Sequence, residues 1–133
     1  MRRVFLDTVG LLAVWNRNDQ WHSRAIEAMR AITAENADGF SSDIVFLECG
    51  NAAARSGFRD EVVSFRKDAI AAGLVAVPTE DELELAWDAY KRRDAGGAGI
   101  VDQVSFLLMR RLGITEAFTN DEHFRAAGFV TLF

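Results

Sequence analysis

The sequence has 133 residues, the length of one ordinary domain, and we predict a single domain over residues 1–133. Hydrophobic residues make up 50% and charged residues 26%, which excludes a disordered or fibrous chain. The net charge of −5 argues against a protein that holds nucleic acid through bulk positive charge. It leaves open an enzyme that cuts nucleic acid, because a metal site concentrates acids at one place.

The cysteine content and the apolar runs indicate a cellular compartment. A single cysteine, Cys49, excludes an internal disulfide and favours a reducing environment. The longest run without a charged residue is Ala69–Thr79, well short of the roughly 20 residues of a membrane-spanning helix. The N-terminal apolar run Val4–Leu6 is too short for a signal peptide. We therefore expect a cytoplasmic protein with no membrane segment.

Short β-type patterns alternate with longer helical patterns in the first half of the chain. In chain order they predict a strand at Arg2–Leu6, helices at Leu11–Trp15 and Trp21–Ala34 (the second capped by Asn18 or Asp19), a strand at Gly39–Ser41, and a helix from Asp43 to about Arg55 capped by Ser42.

The same alternation continues in the second half. It predicts a helix at Asp60–Ala72 ended by Gly73 and then an all-apolar strand at Leu74–Val77. A capping box at Thr79–Glu82 opens the next predicted helix, whose core face carries Leu83, Ala86, Trp87 and Tyr90. The remaining predicted elements are a flexible loop at Asp94–Gly99, a helix at Val101–Leu112, a strand at Ala117–Thr119, a helix at Glu122–Ala127 and a strand at Phe129–Leu132. Strands separated by helices favour an α/β fold, a three-layer α/β/α sandwich with a mainly parallel central sheet.

Four carboxylates interrupt apolar segments. Asp7 and Asp121 follow predicted strands, while Glu48 and Asp102 lie on helices that lead to the same edge of the sheet. Taken singly, Asp7 or Asp121 suits a helix cap and Asp102 suits the positive end of its helix. Gathered together, like charges need a hard divalent cation with oxygen ligands, Mg²⁺ or Mn²⁺. Such an acidic cluster is a common arrangement for phosphodiester hydrolysis.

The order of these segments resembles a PIN domain, and closely the VapC-type toxins of bacterial toxin–antitoxin pairs. The resemblance covers essentially the whole chain and rests on the segments Val4–Thr8, Ile44–Glu48, Ile100–Met109 and Phe118–Phe129. It implies an endoribonuclease that leaves 3′-hydroxyl and 5′-phosphate ends. The residues that it implies for the Mg²⁺ or Mn²⁺ site are the acids Asp7, Glu48, Asp102 and Asp121, with Thr8 and Thr119 in supporting roles.

The resemblance also implies partners. VapC-type chains are expected to form homodimers and to bind a small VapB-type antitoxin protein. The candidate surfaces for self-contact are the predicted helices Asp60–Ala72 and Leu83–Tyr90. Gly99 departs from the family pattern, in which a serine often stands at this position, and Val9–Gly10 replace a more usual small polar residue. Neither departure touches the acidic quartet, but both bear on how a substrate fits.

Two other functional readings stay open. His22 and His123 allow a metal-free ribonuclease with one histidine as general base and the other as general acid. The second reading is a catalytically weak PIN fold that acts mainly as a binding module. His123 is alternatively a group that orients Asp121, and Cys49 is predicted to be a core residue rather than a nucleophile.

Contacts to RNA are also considered. Trp15 and Trp21 bracket a polar loop in which a base could stack, and Lys91–Arg93 is the only basic run that could contact phosphate. Trp87 is predicted to belong to the core.

Overall fold

The computed structural model describes residues 1–133 and contains a five-stranded parallel sheet flanked by helices. The elements are β1 Arg3–Leu6, α1 Thr8–Trp15, α2 His22–Ala34, β2 Asp38–Ser42, α3 Asp43–Ala53, α4 Arg59–Ala71, β3 Val75–Ala76, α5 Glu80–Arg92, α6 Asp94–Gly97, α7 Ile100–Leu112, β4 Glu116–Phe118, α8 Glu122–Ala126 and β5 Val130–Thr131. The strand order is β3-β2-β1-β4-β5, with every neighbouring pair parallel. The predicted α/β class and central parallel sheet are confirmed.

Strand β1 lies at the centre of the sheet and is its most buried strand. Val4 and Phe5 are fully buried, as a strand with neighbours on both sides and helices on both faces requires. Phe5 pairs in register with Phe40 of β2 and Ala117 of β4. The carboxyl ends of β1 and β4 therefore stand side by side.

Helix α1 begins immediately after β1 and packs closely on β4. A Cβ atom at Gly10 would lie 2.1 Å from the carbonyl oxygen of Phe118, a distance that no side chain tolerates. Glycine at this position therefore lets α1 approach the end of β4. This close packing brings Asp7, between β1 and α1, near Thr119, which follows β4.

Helix α5 runs antiparallel to α7. Near its start, the Glu82 carboxylate accepts a hydrogen bond from Arg111, close to the end of α7, at 3.0 Å. Just beyond its other end, the Asp94 carbonyl accepts a hydrogen bond from Gln103, near the start of α7, at 2.9 Å. The turn after α5 is therefore held beside the first turn of α7, at the carboxyl edge of the sheet.

Most of the predicted helix boundary signals are present in the structure. The Ser42 hydroxyl caps α3 by accepting the Val45 N–H, and Thr79 forms a complete capping box with Glu82. Gly73 and Gly113 follow their helices with φ of 72° and 68°. The predicted cap of α2 by Asn18 or Asp19 is wrong: the N-cap residue is Trp21, without a side-chain cap, and the Asp19 carboxylate accepts the Trp21 N–H at 2.7 Å in the turn before the helix.

Several local predictions were wrong. Trp87 and Tyr90, both predicted on the core face, are 51% and 48% exposed, because α5 packs on α7 rather than on the sheet and only a narrow stripe around Ala86 is covered. Val77 is 61% exposed, because β3 is an edge strand of two residues and Val77 lies beyond it. Helix α1 begins three residues earlier than predicted, at Thr8 rather than Leu11.

The glycine-rich segment after α5 is a compact turn rather than an open loop. Arg93 and Ala95 both adopt positive φ, at 59° and 53°, followed by Gly96 at 71° and Gly97 at 80°. The Gln103 side chain donates hydrogen bonds to the carbonyls of Asp94 and Ala98, which lie on either side of this turn. No helix of the chain has the length and apolar character that crossing a membrane requires.

Candidate metal centre

Asp7 and Thr119 form the buried base of the acidic site. Asp7 directly follows β1 as the N-cap residue of α1, where its side chain makes no capping hydrogen bond. It is 1% exposed, and its Oδ2 accepts a hydrogen bond from the Thr119 hydroxyl at 2.8 Å. The same hydroxyl oxygen accepts the backbone N–H of Asp121 at 3.1 Å. Thr119 thus links Asp7 at the end of β1 to the residues that follow β4.

Asp121 and His123 lie next to this pair. The Asp121 carboxylate caps α8 by accepting the His123 backbone N–H at 2.9 Å, so its interpretation as a helix cap is correct. Its Oδ1 also lies 2.8 Å from Nδ1 of the His123 ring. The cap therefore brings the imidazole onto the acidic site.

Asp102 and Glu48 contribute from two helices. Asp102 lies in the first turn of α7, and Glu48 lies half-buried in α3. Burial, and after it the charges of Asp7, Asp121 and Glu48, together raise the pKa of Asp102 to about 8. All four predicted acids are therefore close enough to repel one another.

The electrostatics of Asp7 lead to the same conclusion. Burial raises the pKa of Asp7 to about 7, against the Thr119 hydrogen bond, which lowers it. Asp121 and Glu48 again act in the raising direction. Without a cation, the site thus contains carboxyl groups that are costly to ionise near neutral pH.

A divalent ion fits these residues. Asp102, Asp121 and His123 each offer one ligand atom, and the three atoms lie within 4.8 Å of one another. The Asp7 Oδ1 atom is buried and has no hydrogen-bond partner. None of the ion pairs formed by lysine or arginine includes Asp7, Glu48, Asp102 or Asp121. An orphaned carboxylate oxygen among uncompensated acids suits the oxygen-seeking ions Mg²⁺ and Mn²⁺.

The other predicted residues have separate surroundings. Thr8 is buried in the first turn of α1, and its hydroxyl oxygen has no hydrogen-bond partner. His22 Nδ1 bonds the Ala13 carbonyl at 2.7 Å, and no hydrogen bond connects the His22 and His123 rings. The two rings therefore have separate partners, the Ala13 carbonyl for His22 and the Asp121 carboxylate for His123. Burial raises the pKa of the Cys49 thiol to about 12, as expected for a core residue.

The candidate RNA contacts are more dispersed. Trp15 packs edge-on against Phe65 with ring centroids 5.7 Å apart, and the Arg24 guanidinium lies 5.2 Å from the ring of Trp21. In the basic run, Arg92 pairs with Asp94 at 2.8 Å. Contact of these residues with RNA stays a prediction.

His123 is the residue whose place in the site the sequence did not establish. Orientation of Asp121 was one of its predicted alternatives, and the structure also places a ring nitrogen within 4.8 Å of a carboxylate oxygen of Asp102 and one of Asp121. The signal was present, because a capping aspartate accepts the backbone N–H of the second or third helical residue, and His123 is the second residue of α8.

These features define an α/β protein whose acids meet at the carboxyl edge of a parallel sheet, and comparison with known proteins gives the family. The chain belongs to the PIN-domain family, whose sequence model matches residues 4–130. This confirms the resemblance seen in the sequence.

Individual relatives show the same likeness. The chain is 30% identical over 132 residues to the 23S rRNA-specific endonuclease VapC20 of Mycobacterium tuberculosis, in both strain CDC 1551 and strain H37Rv, covering 96% of this chain and 95% of the relative. The crystal structure of VapC20, described as a sarcin-ricin loop cleaving toxin, superposes with a TM-score of 0.76 and covers 96% of each chain. FitAcB from Neisseria gonorrhoeae shares the fold, with a TM-score of 0.68 at 17% identity and coverage of 98% and 96%.

Proposed function

We propose that this protein is a divalent-metal-dependent endoribonuclease that acts as the toxin of a VapBC-type toxin–antitoxin system. The observation that supports this most strongly is the convergence of Asp7, Glu48, Asp102 and Asp121 around a buried, unpartnered carboxylate oxygen. A purely structural role does not account for four neighbouring acids whose charges make ionisation of Asp7 and Asp102 more costly. The relation to VapC20, named as an endonuclease, supports the reaction type.

The four acids and the two threonines of the site have different proposed roles. Asp7, Glu48, Asp102 and Asp121 are proposed to hold the ion directly or through water, with Thr119 positioning Asp7 and Asp121 at its base. The ion, when bound, lowers the pKa of a water molecule and offsets negative charge on the phosphate. The carboxylates orient the attacking water and take up its proton. Thr8 supports the same wall of the site from the first turn of α1.

Structured ribosomal RNA is the substrate class that we propose first. VapC20 is described as specific for 23S rRNA, and this chain aligns with it over nearly its full length. The net charge of −5 means that substrate affinity cannot come from bulk charge, so local cations and the shape of the RNA must provide it. Acting on ribosomal RNA places the protein in the cytoplasm.

A toxin of this kind requires an inhibitor and therefore a partner. The proposed partner is a small VapB-type antitoxin protein that sets an Arg or Lys side chain into the acid cluster, competing with metal and substrate. Co-expression with the neighbouring small reading frame, followed by purification and a nuclease assay, tests this. A stable inhibited complex is expected, whereas independent purification of the two products with unchanged activity would contradict it.

A homodimer is also proposed. Exposed apolar side chains on the two predicted contact helices support it, namely Val63 and Ile70 on α4 and Leu85, Trp87 and Tyr90 on α5. Light scattering of Trp87→Glu against the unaltered chain tests the α5 surface. A shift from dimer to monomer is expected, because a charge is then buried in an apolar contact.

The central experiment is cleavage of intact 23S rRNA and of whole ribosomes, with Mn²⁺, Mg²⁺ or EDTA, followed by mapping of the product ends. We expect cleavage at one or a few positions with Mn²⁺ or Mg²⁺, 5′-phosphate ends, and none in EDTA. Asp121→Asn is expected to be inactive, and the exposed Asp88→Asn serves as the matched control. Full cleavage in EDTA with cyclic phosphate ends would instead support the two-histidine mechanism. A folded, metal-binding protein that cuts no RNA would support the binding module.

A further inference from the structure

We propose that His123 is itself a ligand of the divalent ion, and that its nitrogen makes the site select Mn²⁺ over Mg²⁺. This inference rests on the proposed function, since it assumes that the acid cluster binds a divalent ion. It goes further in naming a fifth side chain and the metal that it selects.

The position of the ring carries the inference. A nitrogen of His123 lies with one oxygen of Asp102 and one of Asp121 inside a common distance of 4.8 Å, which a single ion spans when it contacts all three. The Asp7 Oδ1 atom is buried and has no hydrogen-bond partner, while the other oxygen of this carboxylate is linked through Thr119 to Asp121. This atom independently points to a cation site here. The imidazole is 40% exposed, so an ion reaches it without rearrangement of the core.

The surrounding backbone holds the ring in this place. The Asp121 Oδ1 atom accepts the backbone N–H of His123 at 2.9 Å and lies 2.8 Å from Nδ1 of the ring. These two contacts fix the side chain from the α8 side. On the other side stands the compact turn Asp94–Gly97. A Cβ atom built on Gly96 would lie 3.6 Å from His123 Cδ2, so the turn passes alongside the ring. Gln103 anchors that turn through two backbone carbonyls.

The donor set then determines the metal. Mg²⁺ prefers oxygen ligands in an octahedron and loses water reluctantly, so an imidazole adds little to its binding. Mn²⁺ takes the same carboxylate oxygens as Mg²⁺. As a first-row transition ion it is less hard than Mg²⁺, and it forms a stronger coordinate bond to an imidazole nitrogen. A site of carboxylates plus one imidazole is therefore expected to hold Mn²⁺ more tightly than an all-carboxylate site would.

The experiment compares metal binding by the full-length protein with that of two variants at position 123. His123→Ala removes the ring, whereas His123→Asn keeps a side-chain N–H for Asp121 but has no imidazole lone pair. We expect either variant to lose at least about tenfold of Mn²⁺ affinity by calorimetry, the lower end of what even an outer-shell partner of a metal ligand contributes, with little change for Mg²⁺. His22→Gln, which removes the other imidazole, is the matched control and is expected to leave both affinities unchanged.

A spectroscopic measurement separates ligation from orientation. Pulsed electron paramagnetic resonance of bound Mn²⁺ is expected to show coupling to a histidine nitrogen in the unaltered chain and in His22→Gln, and none in either position-123 variant. Bound Mn²⁺ without nitrogen coupling, or full Mn²⁺ affinity in His123→Asn, would overturn the inference and leave the proposed nuclease intact. Failure of the unaltered chain to bind either ion would overturn the proposed metal-dependent function as well.

Discussion

Replacing Asp7 by Asn is expected to stabilise the metal-free protein. Burial raises the pKa of Asp7 from 3.8 to about 7. Between these two values the folded protein holds a proton that the unfolded chain has released, so the free energy of unfolding falls as the pH rises. At 1.36 kcal/mol per pKa unit, the ionised carboxylate costs roughly 4 kcal/mol above pH 7.

The expected gain is smaller than this full cost, because the new amide must also find hydrogen-bond partners. The Thr119 hydroxyl can still donate to the amide oxygen, but the new amide nitrogen takes the place of Asp7 Oδ1, an atom without a hydrogen-bond partner. We therefore expect about half of the cost to be recovered, or about 2 kcal/mol at pH 8. For a chain of this size that corresponds to a rise in Tm of about 5–10 °C.

Thermal unfolding followed by circular dichroism in EDTA, at pH 5 and pH 8, measures this effect. The difference in Tm between Asp7→Asn and the unaltered chain is expected to be small at pH 5 and largest at pH 8. Asp88→Asn, an exposed acid on α5, controls for general charge and should stay within about 0.5 kcal/mol. A variant that melts below the unaltered chain at pH 8, with the same pH dependence, would refute the reasoning.

Three further outcomes are expected. Asp102→Asn should reduce RNA cleavage by at least about a hundredfold while raising the metal-free Tm, and near-normal turnover with Mn²⁺ would contradict its place in the site. Added Mn²⁺ should raise the Tm of the unaltered chain in proportion to the logarithm of its concentration, and Asp7→Asn should weaken this response; equal responses would show that the ion binds elsewhere. Gly10→Ala should cost more than about 3 kcal/mol in chemical denaturation, because its Cβ would meet the Phe118 carbonyl at 2.1 Å, and a cost below 1 kcal/mol would show that α1 can shift.

The sequence was most informative where a local signal and its structural cause coincide. An acid that directly follows an apolar strand, such as Asp7, lies at the carboxyl edge of a parallel sheet. Caps such as Ser42 and Thr79 were readable because their hydrogen bonds are confined to one turn.

The features that the sequence could not supply depend on how elements pack. Trp87 fits the apolar stripe of α5, yet its exposure depends on α5 covering a helix rather than a sheet. The pairing of Asp7 with Thr119 spans 112 residues and follows from strand order, which no local pattern encodes. The nearness of His123 to Asp102 depends likewise on α7 and α8 meeting at one edge.

That 112-residue separation also bears on when activity arises during synthesis. A growing chain that stops before β4 contains Asp7, Glu48 and Asp102 but lacks Thr119, Asp121 and the second of the two strands that pair with β1. The nuclease is therefore expected to be silent through most of its translation and to become active only when its last segments fold. Products of premature termination should accordingly be harmless to the cell, and an inhibitor made beforehand can meet each new molecule at the moment it becomes active.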